Sequence, residues 1–573
     1  MPLIPVPFVE IIISSDEPAQ RNSSRTGDPA HLTGGARARL SHASPIESRG
    51  AHNGEVTTTT APHAQPEPAA LDRRLVRRAG LAGMAVSTAL IWLASSLFDS
   101  VAFPPAALAD LIIRATPGDV STFFIDALKH WSLRLLALGV LVGSLVLGAE
   151  LLWRSSRGGR LRTVETAIVI AVLGAVAALG STEGMRGALV TILALALAAA
   201  VYAVVAASVY ASSGSSVDAG RRNFLRLGFG GALAVAFAGG ALGWFARAFS
   251  GPDRNVELAS PVSSEKLPPV DDAFPDLAGL PADVTSAEEH YVVDINLIKP
   301  SVDAGDWSLR VFGEVDEELT LNFAQLQERF EFVEEHSVMT CISNEVGGNL
   351  IGTSLWGGVR LGEVLGAAGV GDNVVDLVLR GADGYSDSIP LDVAMDEHVL
   401  IAVSQNGEPL TQEHGFPCRL RVPAIYGMKN VKWLESIELT NIDYQGYWME
   451  RGWSDEAVVK TESRIDVLGD DGSAHLGEAT WVAGVAWAGA RGISKVEVST
   501  DGGRTYSEAM LKDAINDRTW RFWAHRWTPD VGGDVEIVCR ATDGEGAVQT
   551  RREAEPHPSG ASGYPSRAIS VRA

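Results

Sequence analysis

Cysteine is scarce in this chain, with only Cys341, Cys418 and Cys539 among 573 residues. That excludes a disulfide scaffold, a four-cysteine zinc site and iron–sulfur clusters held by four thiolates. Lysine is also sparse, eight against 39 arginines. Positive charge as a whole is in deficit, giving a formal net charge of −23. The mean hydropathy is nevertheless slightly positive, which conflicts with so acidic a chain if it is uniform. Splitting the sequence removes the conflict: residues 1–250 carry a net +5 and residues 251–573 a net −28. One ordinary globular domain and a wholly disordered chain are excluded. So is a nucleic-acid binder, because a surface at −28 repels phosphate.

Residues 1–72 lack a persistent apolar period and are rich in Ser, Thr, Pro, Gly and Ala, the composition of a disordered tail. The run Ile11–Ile13 is too short for the core of a secretory signal and lacks a basic start. Five apolar stretches follow, at 76–98, 132–153, 163–180, 188–211 and 225–246. Each approaches the length needed to cross about 30 Å of hydrocarbon at about 1.5 Å per residue. The sequence therefore predicts five transmembrane helices within 73–246, and a lipid bilayer as partner.

Arginine sets the expected orientation. Arg73, Arg74, Arg77 and Arg78 precede the first stretch; Arg154, Arg157, Arg160 and Arg162 follow the second; Arg221 and Arg222 precede the fifth. The alternate loops show no such excess. This places the N-terminus in the cytoplasm and residue 247 onward outside the cell membrane. Arg221-Arg222-Asn223-Phe224-Leu225-Arg226 also resembles the twin-arginine export signal, with arginine where that pattern has lysine. No histidine lies inside the five stretches, His130 standing just outside the second. Paired-histidine haem is therefore not expected there, and electrons would need a separate carrier.

Residues 247–289 are rich in Pro, Asp and Ser and read as a linker. From 290 the pattern is mixed: strand-like runs at 307–313, 374–379, 400–403 and 419–422 alternate with helix-like runs at 323–329, 361–368 and 391–395, an α+β pattern. Beyond about residue 456 the helix signals vanish. Short strands at 481–487, 495–499, 506–510, 521–527 and 535–542, separated by turns such as Asp501-Gly502-Gly503, predict an immunoglobulin-like β-sandwich over 456–573.

Two segments carry chemistry. In the first, Met339-Thr340-Cys341-Ile342-Ser343-Asn344, a cysteine ends a strand-like run and opens a loop rich in Gly, Ser and Asn. Such a loop offers free amide donors to an anion, and a thiolate there is a soft metal ligand. In the second, His414-Gly415-Phe416-Pro417-Cys418-Arg419 leads to Asn430-Val431-Lys432-Trp433-Leu434. His414, Arg419 and Lys432 are hydrogen-bond donors suited to phosphate. Cys418 and Cys539 read as buried thiols in separate domains.

Together these motifs resemble the sulfite oxidase family of molybdenum enzymes, in a membrane-anchored bacterial and archaeal branch. The resemblance covers about 290–573. It implies a molybdopterin-binding oxidoreductase domain over 290–455, then a dimerisation domain through which a homodimer would form. It implies a molybdenum–molybdopterin cofactor with Cys341 as metal ligand and catalytic residue. His414, Arg419 and Lys432 would hold the pterin phosphate, with Asn430 and Val431 offering backbone groups. Tyr291 and Asn296 would lie along the pterin, and the turn Gly381–Tyr385 would line it. Arg451 and Trp453 are candidates for the substrate pocket.

Two family features are missing. No arginine follows Tyr291, where Val292-Val293-Asp294 stands, and Val403 occupies the position of the family's substrate-site tyrosine. Both would help to attract sulfite. The expected function is thus oxygen-atom transfer to or from a small-molecule acceptor or donor, with a sulfoxide reductase of the methionine sulfoxide type or a sulfite oxidase proper as alternatives. A membrane binding or sensory protein that kept the fold and lost the metal is the alternative of a different class.

Overall fold

The structure, a computed structural model, describes residues 71–98, 101–116, 120, 132–179, 184–212, 256–269, 271–296, 299–469 and 472–573. The tail at 1–70, the fifth apolar stretch at 225–246, and Arg221 and Arg222 lie outside the described residues.

The N-terminal part is helical: α1 (Arg73–Leu97), α2 (Pro104–Ala115), α3 (Ser132–Ser155), α4 (Thr163–Leu179) and α5 (Gly184–Ser212). Three helices among the described residues, not five, are long and apolar enough to cross a membrane: α1, α3 over Leu135–Ser155, and α5 over Ala188–Ala211. The third predicted span does form a helix, α4, but it has 17 residues. At about 1.5 Å per residue that is about 25 Å, short of the hydrocarbon thickness. Helix α2, between the first two apolar stretches, begins at Pro104, where proline's fixed φ favours a first turn. Large apolar side chains such as Leu193 and Leu197 point outward, each about two-thirds exposed, the reverse of a water-soluble bundle. Glycine brings the helices close: a methyl group at Gly148 would stand 2.8 Å from Met84 of α1. There the Tyr202 hydroxyl of α5 donates to the Gly148 carbonyl at 2.9 Å.

Residues 256–289, expected as part of a linker, are packed down rather than free. Ser263–Ser264 add a parallel strand beside Val333 and Glu334, and the Ala259 amide donates to the Gln327 side chain. Phe274, Leu277 and Leu280 cover Val467, Ala483 and Ala524 of the C-terminal domain. Asp283 pairs with Lys512, and Glu265 with Arg518. The polar composition hides these few, widely spaced apolar anchors.

The following domain has two sheets. One runs in the order 263–264, 332–340, 351–360, 400–405 and 419–421; the other runs 319–322, 308–313, 434–440, 376–381 and 386–390. Helices at 323–329 and 361–368 match the predicted runs. The central hairpin 332–340/351–360, of which the sequence shows only the strand-like run ending at Cys341, is paired without a break from Phe332↔Val359 to Thr340↔Ile351. It places Cys341 at the end of a nine-residue strand.

The C-terminal domain has two further sheets, 462–468/480–487/521–527/510–511 and 473–475/566–572/533–543/493–499/507–508. They meet face to face through Ile465, Val482 and Trp523 on one side and Val496, Ile537 and Ile569 on the other. The core of the first domain continues into this one through Val485, Trp487, Trp520 and Phe522. The seam between the domains is therefore a packed interface.

Candidate active site

The Cys341 thiol is buried, with its sulfur 2.9 Å from the Ser343 hydroxyl. Its amide donates to the Leu350 carbonyl at 2.9 Å, and the Leu350 amide donates to Asn344 Oδ1 at the same distance. These bonds close the Gly-rich loop into a rim around the sulfur. Burial raises the thiol pKa, so alone it stays protonated; a bound cation would reverse this.

Strand 419–421 presents two guanidiniums. Arg419 donates to the carbonyls of His414 and Asn430, both at 3.1 Å, and reaches the Met339 sulfur at 3.4 Å. Its guanidinium lies over the Trp356 ring. Arg421 donates to Ser337 Oγ and to Asn430 Oδ1, each at 3.0 Å. Both arginines are buried, and desolvation lowers their pKa values to about 10 and about 9. Among the described residues neither has a carboxylate partner. Buried cations without an ion-pair partner are costly, which suits the site to an anion.

His414 is not a cation here. Burial, ahead of the nearby positive charges, depresses its pKa to about 3, and its Nε2 lies 2.7 Å from the Ala287 carbonyl. As neutral imidazole it donates there. Lys432 is paired with Asp294, donates to the Glu413 carbonyl at 3.0 Å and sits over the Trp433 ring. Asn296 donates to Asp383 Oδ2 at 2.9 Å, and burial raises the Asp383 pKa. Val431 is buried, its carbonyl accepting from the Leu420 amide.

Tyr291 joins the two motifs. Burial raises the pKa of its phenol, and the influence of Cys341 reaches it as well as that of Arg419 and Arg421. Its hydroxyl is buried without a partner, as are His290 Nε2, Asn344 Nδ2 and Arg419 Nε. Unmade buried hydrogen bonds are rare in folded proteins; here Tyr291, Asn344 and Arg419 offer donors, and His290 Nε2, with its Nδ1–H facing the Tyr291 carbonyl, an acceptor, to a polar ligand. The residues present thus fit an anionic, oxygen- and nitrogen-rich cofactor.

The structure brings Tyr291, Cys341, His414, Arg419, Asn430, Val431 and Lys432 into one region. Asn296 joins it through Asp383, the centre of the predicted turn 381–385. Arg451 and Trp453 belong to a neighbouring aromatic cluster: the Arg451 guanidinium lies 3.7 Å from the Tyr447 ring centre, and Trp453 packs edge-on against Trp448 and His557. Sequence reasoning missed Arg421, although two arginines at i and i+2 of an otherwise apolar strand share one face. It also missed His290, which packs against Tyr291, Trp356 and His414. Its adjacency to Tyr291 was the only signal.

Comparison with known proteins gives the same region a family. Residues 296–448 match the oxidoreductase molybdopterin binding domain, and residues 457–555 the Mo-co oxidoreductase dimerisation domain. The uncharacterized oxidoreductase YuiH of Bacillus subtilis is 34% identical over 151 residues, which cover 26% of this chain and 74% of YuiH. The chain belongs to the sulfite oxidase family of molybdopterin-dependent oxidoreductases. Mitochondrial sulfite oxidase of Mus musculus is 33% identical over 232 residues, 35% of this chain and 42% of the relative. That of Gallus gallus is 29% identical over 302 residues, 44% and 64% respectively. The chain thus spans about half the length of these sulfite oxidases. Among solved structures, the sulfane dehydrogenase SoxCD of Paracoccus pantotrophus aligns with a TM-score of 0.44 at 22% identity, over 51% of this chain and 84% of that one.

Proposed function

We propose that the chain is a membrane-anchored molybdopterin enzyme that transfers an oxygen atom at a molybdenum ligated by Cys341. One juxtaposition supports this reading most. The buried Cys341 thiol stands near two buried guanidiniums that have no ion-pair partner among the described residues. Among the described residues no group of three His, Cys, Asp or Glu is placed to hold a metal. A metal held here by one protein atom takes its other ligands from an organic, anionic cofactor. Arg419 and Lys432 would hold its phosphate, with Lys432 exchanging Asp294 for it. Tyr291 and Asn344 would donate to the remaining polar edges, and His290 Nε2 would accept from one. The cofactor supplies the two-electron chemistry; the chain binds, orients and shields it.

Elemental analysis of the purified protein tests the reading. One molybdenum per chain, lost in Cys341→Ser, is the expected result. Absence of both metal and pterin after expression in a cofactor-competent host would instead favour the metal-free binding or sensory protein.

The apolar helices and arginine loops support a multi-pass anchor with the catalytic domain outside, exported through Arg221 and Arg222. The match to a dimerisation domain supports a homodimer. With no histidine in the apolar stretches, a separate carrier would take or supply electrons. On the substrate, Val403 is buried in its strand, and no arginine follows Tyr291. Instead Tyr447, Trp448 and Trp453 line the neighbouring cluster. This favours a neutral S-oxide or N-oxide over the sulfite dianion. A panel of sulfite, sulfoxides and N-oxides with artificial electron donors and acceptors distinguishes them.

A further inference from the structure

Helices α1 and α3 leave a cleft of about 330 Å³ at the end of the bundle that carries the arginine loops. Arg77, Arg78 and Leu81 line it from α1, and Val146, Ala149 and Glu150 from α3. Its volume lies within the roughly 300–1,000 Å³ of small-molecule sites. Arg77 pairs with Glu150 and, further along α1, Met84 packs on Gly148, so the two helices run antiparallel. On each helix the charged residue stands one turn from the apolar one, Arg77 from Leu81 and Glu150 from Val146. The cleft therefore has a polar end towards the arginine loops and an apolar end towards the middle of the helices. Beyond Val146 the apolar stripe continues at four-residue spacing through Val142 and Leu138, each about half exposed.

Charge at this end of the bundle is unbalanced. Within 72–78 and 150–165, eight arginines stand against three carboxylates. All three carboxylates are engaged. Asp72 accepts from the Arg74 amide at 2.9 Å, Glu165 pairs with Arg162 at 3.1 Å, and Glu150 is shared between Arg77 and Arg154. Glu150 thus fixes the Arg77 guanidinium at the cleft wall and leaves no uncompensated negative charge there. Arg78, which lines the cleft, has no carboxylate partner among the described residues. Trp153, three residues after Glu150, lies beneath the Arg73 guanidinium at 5.8 Å. Tryptophan and arginine together mark the depth of the lipid headgroups.

We propose that this cleft binds one anionic phospholipid of the cytoplasmic leaflet, its phosphate held by Arg77 and Arg78 and an acyl chain lying on Leu81 and Val146. The inference rests on the reading of the helices as a membrane anchor and is independent of the molybdopterin. The ligand class follows from the two ends of the cleft. A guanidinium fork matches phosphate oxygens bidentately. The excess of arginine repels the ammonium of a zwitterionic headgroup, so the lipid carries net negative charge, as phosphatidylglycerol does. A free phosphate ion has nothing to set against Leu81 and Val146, which an acyl chain covers. Basic pockets between helices on the cytoplasmic side hold anionic headgroups in this way.

The test uses the full-length protein in detergent micelles, with bound lipid counted by native mass spectrometry. Phosphatidylglycerol, phosphatidylcholine with the same chains, and inorganic phosphate are the probes. One phosphatidylglycerol per chain should be retained, phosphatidylcholine should not, and excess inorganic phosphate should not displace the lipid. Arg78→Gln, which breaks no ion pair, should weaken phosphatidylglycerol binding about fivefold. Arg157→Gln removes the same charge from the loop after α3, outside the cleft, and should leave binding nearly unchanged. Equal losses in the two variants would reduce the effect to diffuse surface charge and overturn the site. Equal retention of phosphatidylcholine, or displacement by phosphate, would overturn it too. A wild-type chain released from membranes by salt without detergent would overturn the anchor reading itself.

Discussion

Arg419 donates to the backbone carbonyl of Asn430 at 3.1 Å, while the Asn430 side chain accepts from Arg421 and from the Val422 amide at 2.8 Å. One asparagine thus fixes both guanidiniums, through its carbonyl and its side chain. The planar fork of arginine makes both Arg419 carbonyl bonds while leaving Nε for a ligand; a lysine ammonium cannot. We expect Arg419→Lys to fold with a stability loss of about 1.5–3 kcal/mol, the range for hydrogen bonds to a charged group, and to retain little molybdenum. Full metal content in this variant would remove Arg419 from the site.

Gly427 tests the tight approach of its turn to Tyr291. A methyl group there meets the Tyr291 hydroxyl and the strand leading to Cys341. Overpacking of this kind costs about 1–3 kcal/mol. Gly427→Ala should lower both the unfolding temperature and the molybdenum content, and Tyr291→Phe should restore part of the stability in the double variant. Independent, additive effects of the two changes on unfolding would show that they do not touch.

Much of the catalytic part was legible in the sequence, because its helices and several strands carry clean periods. Phe323–Arg329 and Leu361–Ala368 were read with the bounds the structure has. The central hairpin was not, since its strands place Glu335, His336, Ser337, Thr353 and Ser354 in a buried seam, and apolar alternation fails there. Cys341, His414 and Arg419 stood out by motif. The pairing of Lys432 with Asp294, 138 positions away, could not be read from spacing, nor could the neutral state of His414, which burial imposes. The count of five spans followed length and hydropathy alone; among the described residues α4 has 17.

The helical region offers its own check. Gly148 of α3 packs against Met84 of α1 while its carbonyl accepts from Tyr202 of α5. Close approach through small residues holds helices together where no hydrophobic driving force acts between them. Gly148→Ile should force α1 and α3 apart and abolish a disulfide engineered between their facing positions, while Tyr202→Phe should weaken packing by about 1 kcal/mol. Unchanged cross-linking in Gly148→Ile would contradict the helix arrangement.

Acid should destabilise the site before it destabilises the surface. The His414 pKa is about 3 in the folded chain against about 6.5 when unfolded. Between these values the unfolded chain binds a proton that the folded chain refuses, so stability is fully present above pH 6.5 and falls as pH drops towards 3. The loss is on the order of several kcal/mol across that window. Burial lowers the pKa of His290 too, so it adds a loss of the same sign. Glu462 acts oppositely: its pKa of about 8 means stability falls as pH rises from about 4.5 to 8. His414→Gln keeps an N–H donor for the Ala287 carbonyl and removes the titration. Its unfolding temperature, followed by tryptophan fluorescence, should match the wild type near pH 7 and exceed it by a margin that grows from pH 6.5 down to pH 3. Parallel curves for the two proteins over that range would mean that His414 is not held neutral by burial.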